Sequence, residues 1–427
     1  MNTSFYICST LLICVIYLFV LLSDKKFRLL FPSSMHTITW MIVAYLLYSS
    51  TMGWMSHGKK TLEDYSHVAP FIFGMVVSSI LGFSLAHSCC NQHKVHLNII
   101  SIDYINILLK RYRWVLYGCF FSGILTLLFL ISIGAYNNLV DYRIIALTTQ
   151  RTGIWGVSSW LGGHLSLLGT FYIALFGYKQ SICGIDIKYF CVNILMYGMT
   201  NIAIAGRGWI TMAMIPYLIG YFYGKFSFNK NAWRDIFDKN FRKLCSILVI
   251  LALFFSIFGM IRNDGENSDN RFYDKFLYYT DGSYVTNLVM EMFPDGTFPL
   301  EYGRCEFLSK WFGSPMQDKF SNAISNDVGL SVTVPSTMPS LYYDFGFSGG
   351  IIMWGVFCFI FEILAITLSK RNNILSFFCI VQLTRMVFQA PIGPIFGMAI
   401  PTLEWLLIMY IFKAKLFYMS NKDKSNL

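Results

Sequence analysis

A chain of 427 residues that is 55% hydrophobic, 18% aromatic and only 13% charged falls well short of the roughly 25% charge of a soluble globular domain. This composition excludes an ordinary water-soluble enzyme and fits a protein immersed in lipid. A net charge of +10 would suit a nucleic-acid binder if the cations were gathered on one domain, but they lie between apolar runs, where they orient the chain in a bilayer, and no nucleic-acid partner is expected.

About 20 helical residues cover the hydrocarbon core of a bilayer and satisfy their own backbone hydrogen bonds. In chain order the apolar runs predict spans at 4–22, 36–54, 68–88, 114–133, 155–176, 187–205, 209–224, 243–261, 345–369, 374–390 and 395–412. The expected fold class is therefore all-α, a polytopic transmembrane helix bundle of about eleven spans. The first run has no basic residue before it and is followed by Lys25, Lys26 and Arg28, as in an uncleaved anchor whose amino terminus faces outward. Of eleven cysteines, only Cys305 falls in a long hydrophilic stretch, so no disulfide framework is expected.

Alternate connections separate by charge. One set carries Lys25, Lys26 and Arg28; Lys94, Lys110, Arg111 and Arg113; Lys179 and Lys188; a basic run from Lys225 to Lys243; Lys370 and Arg371; and a Lys-rich tail. These face the cytoplasm by the positive-inside rule, and the carboxyl terminus lies with them. The organisation that follows is spans one to eight in 1–261, a large outer loop in 262–344, spans nine to eleven in 345–412 and a cytoplasmic tail in 413–427. Pro294, Pro299, Pro315, Pro335 and Pro339 break the loop into short helices and turns over the membrane surface.

Arginine on the outer side runs against the usual bias. Arg143, Arg151, Arg207, Arg262, Arg271 and Arg304 fall there, and Arg385 falls near the outer end of a span. A guanidinium stays charged and grips phosphate oxygens with a fork of donors, so an anionic, pyrophosphate-bearing substrate accounts for the set; interfacial snorkelling and local ion pairs with Asp141, Asp264, Glu266 or Asp269 are the competing account. Arg207 stands between Gly206 and Gly208, which permit a tight turn and close ligand approach. Arg143 and Arg151 bracket a mostly uncharged, partly amphipathic stretch with the character of an interfacial or re-entrant segment.

Where the hydrophilic segment returns to the membrane, the sequence reads Pro335-Ser336-Thr337-Met338-Pro339-Ser340-Leu341-Tyr342-Tyr343-Asp344-Phe345-Gly346. Asp344 stands where an N-cap would, or its carboxylate faces a site and accepts a proton from a sugar hydroxyl. Tyr342 and Tyr343 either stack on sugar rings or belong to the interfacial aromatic belt. Asp281, Glu291, Asp295 and Glu301 are further carboxylates of the outer segment, each better suited to solvent. His164, Glu362, Gln382 and Glu404 lie within predicted spans, where burial demands a partner or a polar cavity, and Arg385 lies three positions after Gln382 on the same helical face.

There is no phosphate-binding loop, dinucleotide fingerprint, Cys-x-x-Cys pair, His-Glu-x-x-His or Asp-x-Asp. No metal and no cofactor are expected. A transferase using a lipid-pyrophosphate donor needs none of these, because its donor is already activated and arginines can neutralise the leaving group.

With Ala205-Gly206-Arg207-Gly208, similar to a Gly-Ser-Arg-Gly turn, and Leu341-Tyr342-Tyr343-Asp344-Phe345-Gly346 followed by Gly349, the chain resembles the Wzy-type O-antigen polymerases, which join oligosaccharide repeat units. Ten residues separate Arg151 from Gly162 and Arg271 from Gly282, a spacing also seen in that family. Ala205 and Gly206 replace the more usual Gly and Ser, which removes a hydroxyl. The resemblance implies a metal-independent glycosyltransferase of the bacterial inner membrane, similar in architecture to the lipid-dependent, GT-C-like enzymes. It would act at the periplasmic face on undecaprenyl-pyrophosphate-linked oligosaccharides, alongside membrane lipid and a chain-length regulator. By the same resemblance Arg207, Arg151 and Arg143 bind pyrophosphate, and Asp344 or an outer-loop carboxylate activates the acceptor hydroxyl; Asp344 and Arg207 are the expected catalytic residues, and the positions of Arg271, Arg385, Tyr342 and Tyr343 add them to Arg143 and Arg151 as candidate substrate-binding residues. A flippase for lipid-linked oligosaccharides and an O-antigen ligase are the alternative functions. Transporters more often show two related halves with charge at the midplane, whereas a ligase shares the donor and differs in its acceptor.

Overall fold

The computed structural model describes residues 3–23, 31–51, 65–90, 100–137, 145, 149, 152–204, 208–228, 242–243, 245–247, 249, 280–295, 337–369 and 374–391. Among them the regular elements are all helical: α1 (Thr3–Ser23), α2 (Pro32–Thr51), α3 (Val68–Cys89), α4 (Ile102–Arg111), α5 (Arg113–Ser132), α6 (Gly153–Cys183), α7 (Ile187–Ala203), α8 (Gly208–Phe228), α9 (Asp281–Met292), α10 (Thr337–Ser369) and α11 (Ile374–Gln389). Stretches Thr3–Leu21, Val68–Cys89, Ile102–Ser132, Gly153–Cys183 and Thr337–Ser369 are long and apolar enough to cross a bilayer. The protein is a helical membrane protein. The span predicted at 395–412 lies outside the described residues, and that at 243–261 lies almost wholly outside them.

Where helices differ from the predicted spans, local chemistry explains the difference. α2 starts at Pro32 rather than at 36, because proline suits a first helical position whose N–H has no intrahelical partner anyway. α10 starts at Thr337 rather than at 345, with Pro339 tolerated in its first turn. α6 runs on to Cys183 and stops at Gly184, whose φ of 93° suits glycine. Asp186 then caps α7 by accepting from Tyr189 N at 3.2 Å.

The chain divides into two compact units. The first comprises Met1–Val95, Phe276–Lys370 and Gln382–Glu404. In it α1 packs on α2 and α3, and α3 packs along α10. The α3–α10 contact is close because its residues are small: a Cβ at Gly82 would overlap the carbonyl oxygen of Gly355, and Ser78 Oγ donates to Ile351 O at 2.8 Å. Small residues let backbones approach in lipid, where association relies on van der Waals packing and hydrogen bonds. Across α2, α3 and α10, Trp354 Nε1 donates to His36 Nε2 at 3.2 Å, and Ser79 Oγ lies 3.5 Å from His36 Nδ1.

The second unit comprises His96–Lys275, Arg371–Val381 and Trp405–Leu427. Its main contact is α6 on α8, where side chains at Gly177 and Gly220 would overlap the carbonyl oxygens of Tyr217 and Ala174. α5 packs against both α6 and α7. At the carboxyl ends of α5 and α7 and the amino end of α6, Phe129, Leu130 and Ala135 form a small cluster with Ile145, Trp155 and Ile204.

Candidate functional site

α10 holds two buried carboxylates, Asp344 in its second turn and Glu362 close to its carboxyl end, and their surroundings differ. The first segment of α10 ends at Gly346, whose φ of 67° and ψ of −174° interrupt the helix. Only glycine adopts that backbone without strain. Asp344 therefore lies within a helical segment two residues ahead of the interruption, and is not the N-cap of a helix beginning at 345. It is 1% exposed.

Thr337 N donates to Ala390 O at 3.0 Å, which ties the start of α10 to the end of α11. Asp344 follows that tie by seven residues, and Arg385 precedes it by five. At about 1.5 Å of helical rise per residue, they lie at comparable distances of about 10 and about 7 Å along their helices. Arg385 is also 1% exposed and ranks among the bulkiest fully buried side chains. Both residues interact with other groups of the protein. Ionisable residues this deep in apolar helices are costly to bury and demand a partner or a polar cavity.

Tyr342 and Tyr343 are buried beside Asp344. The Tyr342 hydroxyl lies within donating distance of the carbonyls of Phe293 (2.9 Å) and Pro294 (2.6 Å), closing the end of α9. Its ring meets Phe71 edge-on, and the ring of Tyr343 meets Phe293 edge-on. Packing thus engages both rings and docks α9 on α10.

α9 also contributes a cap that the sequence did not disclose. Asn287 on α9 accepts from His67 N (2.9 Å) and Val68 N (3.0 Å), satisfying donors at the amino end of α3. Glu291 fixes its carboxamide by accepting from Asn287 Nδ2 at 2.6 Å. The spacing of four residues between Asn287 and Glu291 was visible in the sequence, but the capped helix lies more than 200 positions away.

In the second unit, Arg143, Arg151, Arg207 and Arg271 lie outside the described residues. Three of them have described neighbours that meet. Arg143 precedes Ile145 by two positions, Arg151 precedes Trp155 by four and Arg207 follows Ile204 by three, and Ile145, Trp155 and Ile204 share one apolar cluster. The helices on either side of Gly206 are α7 and α8, which pack on one another.

At the far end of α10, Glu362 is 0% exposed and closed in by hydrogen bonds. Ser33 N donates to its Oε2 at 3.0 Å and Ser33 Oγ to its Oε1 at 2.7 Å. His87 Nε2 lies 2.7 Å from the same Oε1. A carboxylate from α10 therefore anchors the amino end of α2 and the last turn of α3, an arrangement favoured by the α2 dipole. The sequence marked Glu362 as costly to bury but gave no sign of its partners. The ring of His164 meets that of Trp160 at a tilt, with centroids 4.4 Å apart, and Glu404 lies outside the described residues.

The chain matches no protein-family model, no curated protein and no solved structure.

Proposed function

We propose that this protein is a surface-polysaccharide polymerase, a metal-independent glycosyltransferase that moves a growing glycan from undecaprenyl pyrophosphate onto a lipid-linked repeat unit. The observation that carries the reading is the burial of Asp344 and Arg385 in apolar helices near the tie between α10 and α11. It is supported by the resemblance of the motifs around Arg207 and Asp344 to those of the Wzy-type polymerases.

In this mechanism Asp344 accepts the proton of the acceptor sugar hydroxyl as its oxygen attacks the anomeric carbon of the donor. The bond from that carbon to the pyrophosphate oxygen breaks, and undecaprenyl pyrophosphate leaves with its charge neutralised by arginine. The topology proposed with it has about eleven spans in the bacterial inner membrane, with an outer amino terminus and a cytoplasmic carboxyl terminus. A chain-length regulator is its proposed partner.

The test is deletion in the native bacterium, with complementation by wild type or Arg207→Ala at matched expression. The expected gel shows a ladder collapsed to core plus one repeat unit, restored by wild type and not by R207A. A ladder that persists after deletion would overturn the polymerase reading, and loss of all antigen would transfer the assignment to a ligase or flippase.

A further inference from the structure

Two glutamines buried to the same degree are treated differently. Gln180, on α6, is 3% exposed; its Oε1 accepts from the Tyr217 hydroxyl at 2.6 Å and its Nε2 donates to Asp186 O at 3.1 Å. Gln382, on α11, is 2% exposed, yet neither its Oε1 nor its Nε2 has a hydrogen-bond partner among the described residues. A buried carboxamide lacking bonds at both ends forfeits the full desolvation cost of its donors and its acceptor. Such a group is a poor element of packing and a ready contact for something that arrives.

Gln382 is not isolated. Arg385 and Gln389 follow it at three and seven positions, the spacing of one helical face, and Gln389 Oε1 likewise has no hydrogen-bond partner among the described residues. Leu383, Met386, Val387 and Ala390, between and beside these positions, pack into the apolar core of the first unit. α11 thus carries a polar stripe beside a packed one, and the stripe runs to the tie with the first turn of α10.

We infer that Gln382 and Gln389 form a saccharide subsite, in which the carboxamides hydrogen-bond hydroxyl or acetamido groups of the glycan. A primary amide presents donors and an acceptor together, which matches sugar groups that both give and accept. A pyrophosphate, which only accepts, would use half of that capacity and is better served by arginine. The inference rests on the glycosyltransferase reading and divides its labour: guanidinium groups hold the leaving group and the glutamines of α11 hold sugar.

The test uses the full chain in phospholipid nanodiscs, with two probes measured by calorimetry. One is the repeat-unit oligosaccharide freed by mild acid from the lipid-linked intermediate of the native bacterium; the other is undecaprenyl pyrophosphate without sugar. Gln382→Leu, close to isosteric, is expected to weaken oligosaccharide binding about tenfold, the size of one or two lost hydrogen bonds. Binding of undecaprenyl pyrophosphate and the thermal midpoint should hold steady, since leucine removes an unsatisfied polar group. Failure of wild type to bind the oligosaccharide, or equal binding by Q382L, overturns the subsite. A lowered midpoint with both probes weakened overturns it too, by making Gln382 structural. If the deletion strain keeps its ladder while Q382L still loses oligosaccharide, the polymerase assignment falls and the saccharide subsite stands.

Discussion

The two ends of α10 pose the same electrostatic problem and solve it differently. Glu362 is enclosed by Ser33 and His87, with hydrogen bonds reaching both of its carboxylate oxygens. Asp344 is equally buried, but it stands two residues before a helix interruption and in the same compact unit as a glutamine that lacks hydrogen bonds among the described residues. Burial of a charged group therefore does not by itself mark a site. The end of the helix that is interrupted by Gly346 and tied to α11 is the better candidate for chemistry, while the end whose carboxylate bonds to α2 and α3 holds the bundle together.

The sharpest way to break this comparison is to neutralise each carboxylate. Asp344→Asn should lower the polymerisation rate of purified protein by about 10²- to 10⁴-fold, the range of a lost general base, with the unfolding midpoint close to wild type. Glu362→Ala should do the reverse. Removing one partner of a buried, hydrogen-bonded ionic group costs about 3–5 kcal/mol, which should appear as a large fall in thermal midpoint, with glycan chain length unchanged at matched folded protein. If E362A loses polymer while remaining stable, or D344N unfolds, the roles assigned to the two ends are exchanged. A smaller effect sharpens the picture at a second closed site: Asn287→Ala removes the cap on α3 and should cost about 1 kcal/mol, read as a modest midpoint shift and faster amide exchange at His67 and Val68.

Much of the helical framework was legible because lipid permits few solutions: long apolar runs at 4–22 and 68–88 became α1 and α3 almost residue for residue, and that at 345–369 became α10 with a start drawn back to Thr337. The early starts of α2 and α10 go with proline. Pro339 reads as a helix breaker from a distance, yet it sits comfortably in the first turn of α10, as Pro32 does in that of α2. The sequence also identified Glu362 and Gln382 as expensive to bury. It could not reveal that one is satisfied and the other is not, since the partners of Glu362 come from positions 33 and 87 and nothing local encodes that pairing. Tyr342 shows the converse limit. An aromatic residue at the membrane boundary suggests an interfacial or sugar-binding ring, whereas its hydroxyl is committed to the carbonyls that end α9.

The polar contacts between α2 and α10 also bear on how the protein is made. Ser33 and His36 are translated early, but Glu362 and Trp354 follow 329 and 318 positions later. At about 5–20 residues per second, a nascent chain waits roughly 15–65 s before the groups that complete its first-made helices emerge from the ribosome. During that interval the amino end of α2 lacks the Glu362 carboxylate and His36 lacks the Trp354 indole, so the insertion machinery, or water held beside it, has to shelter helices α1 to α3 until α10 arrives to close them.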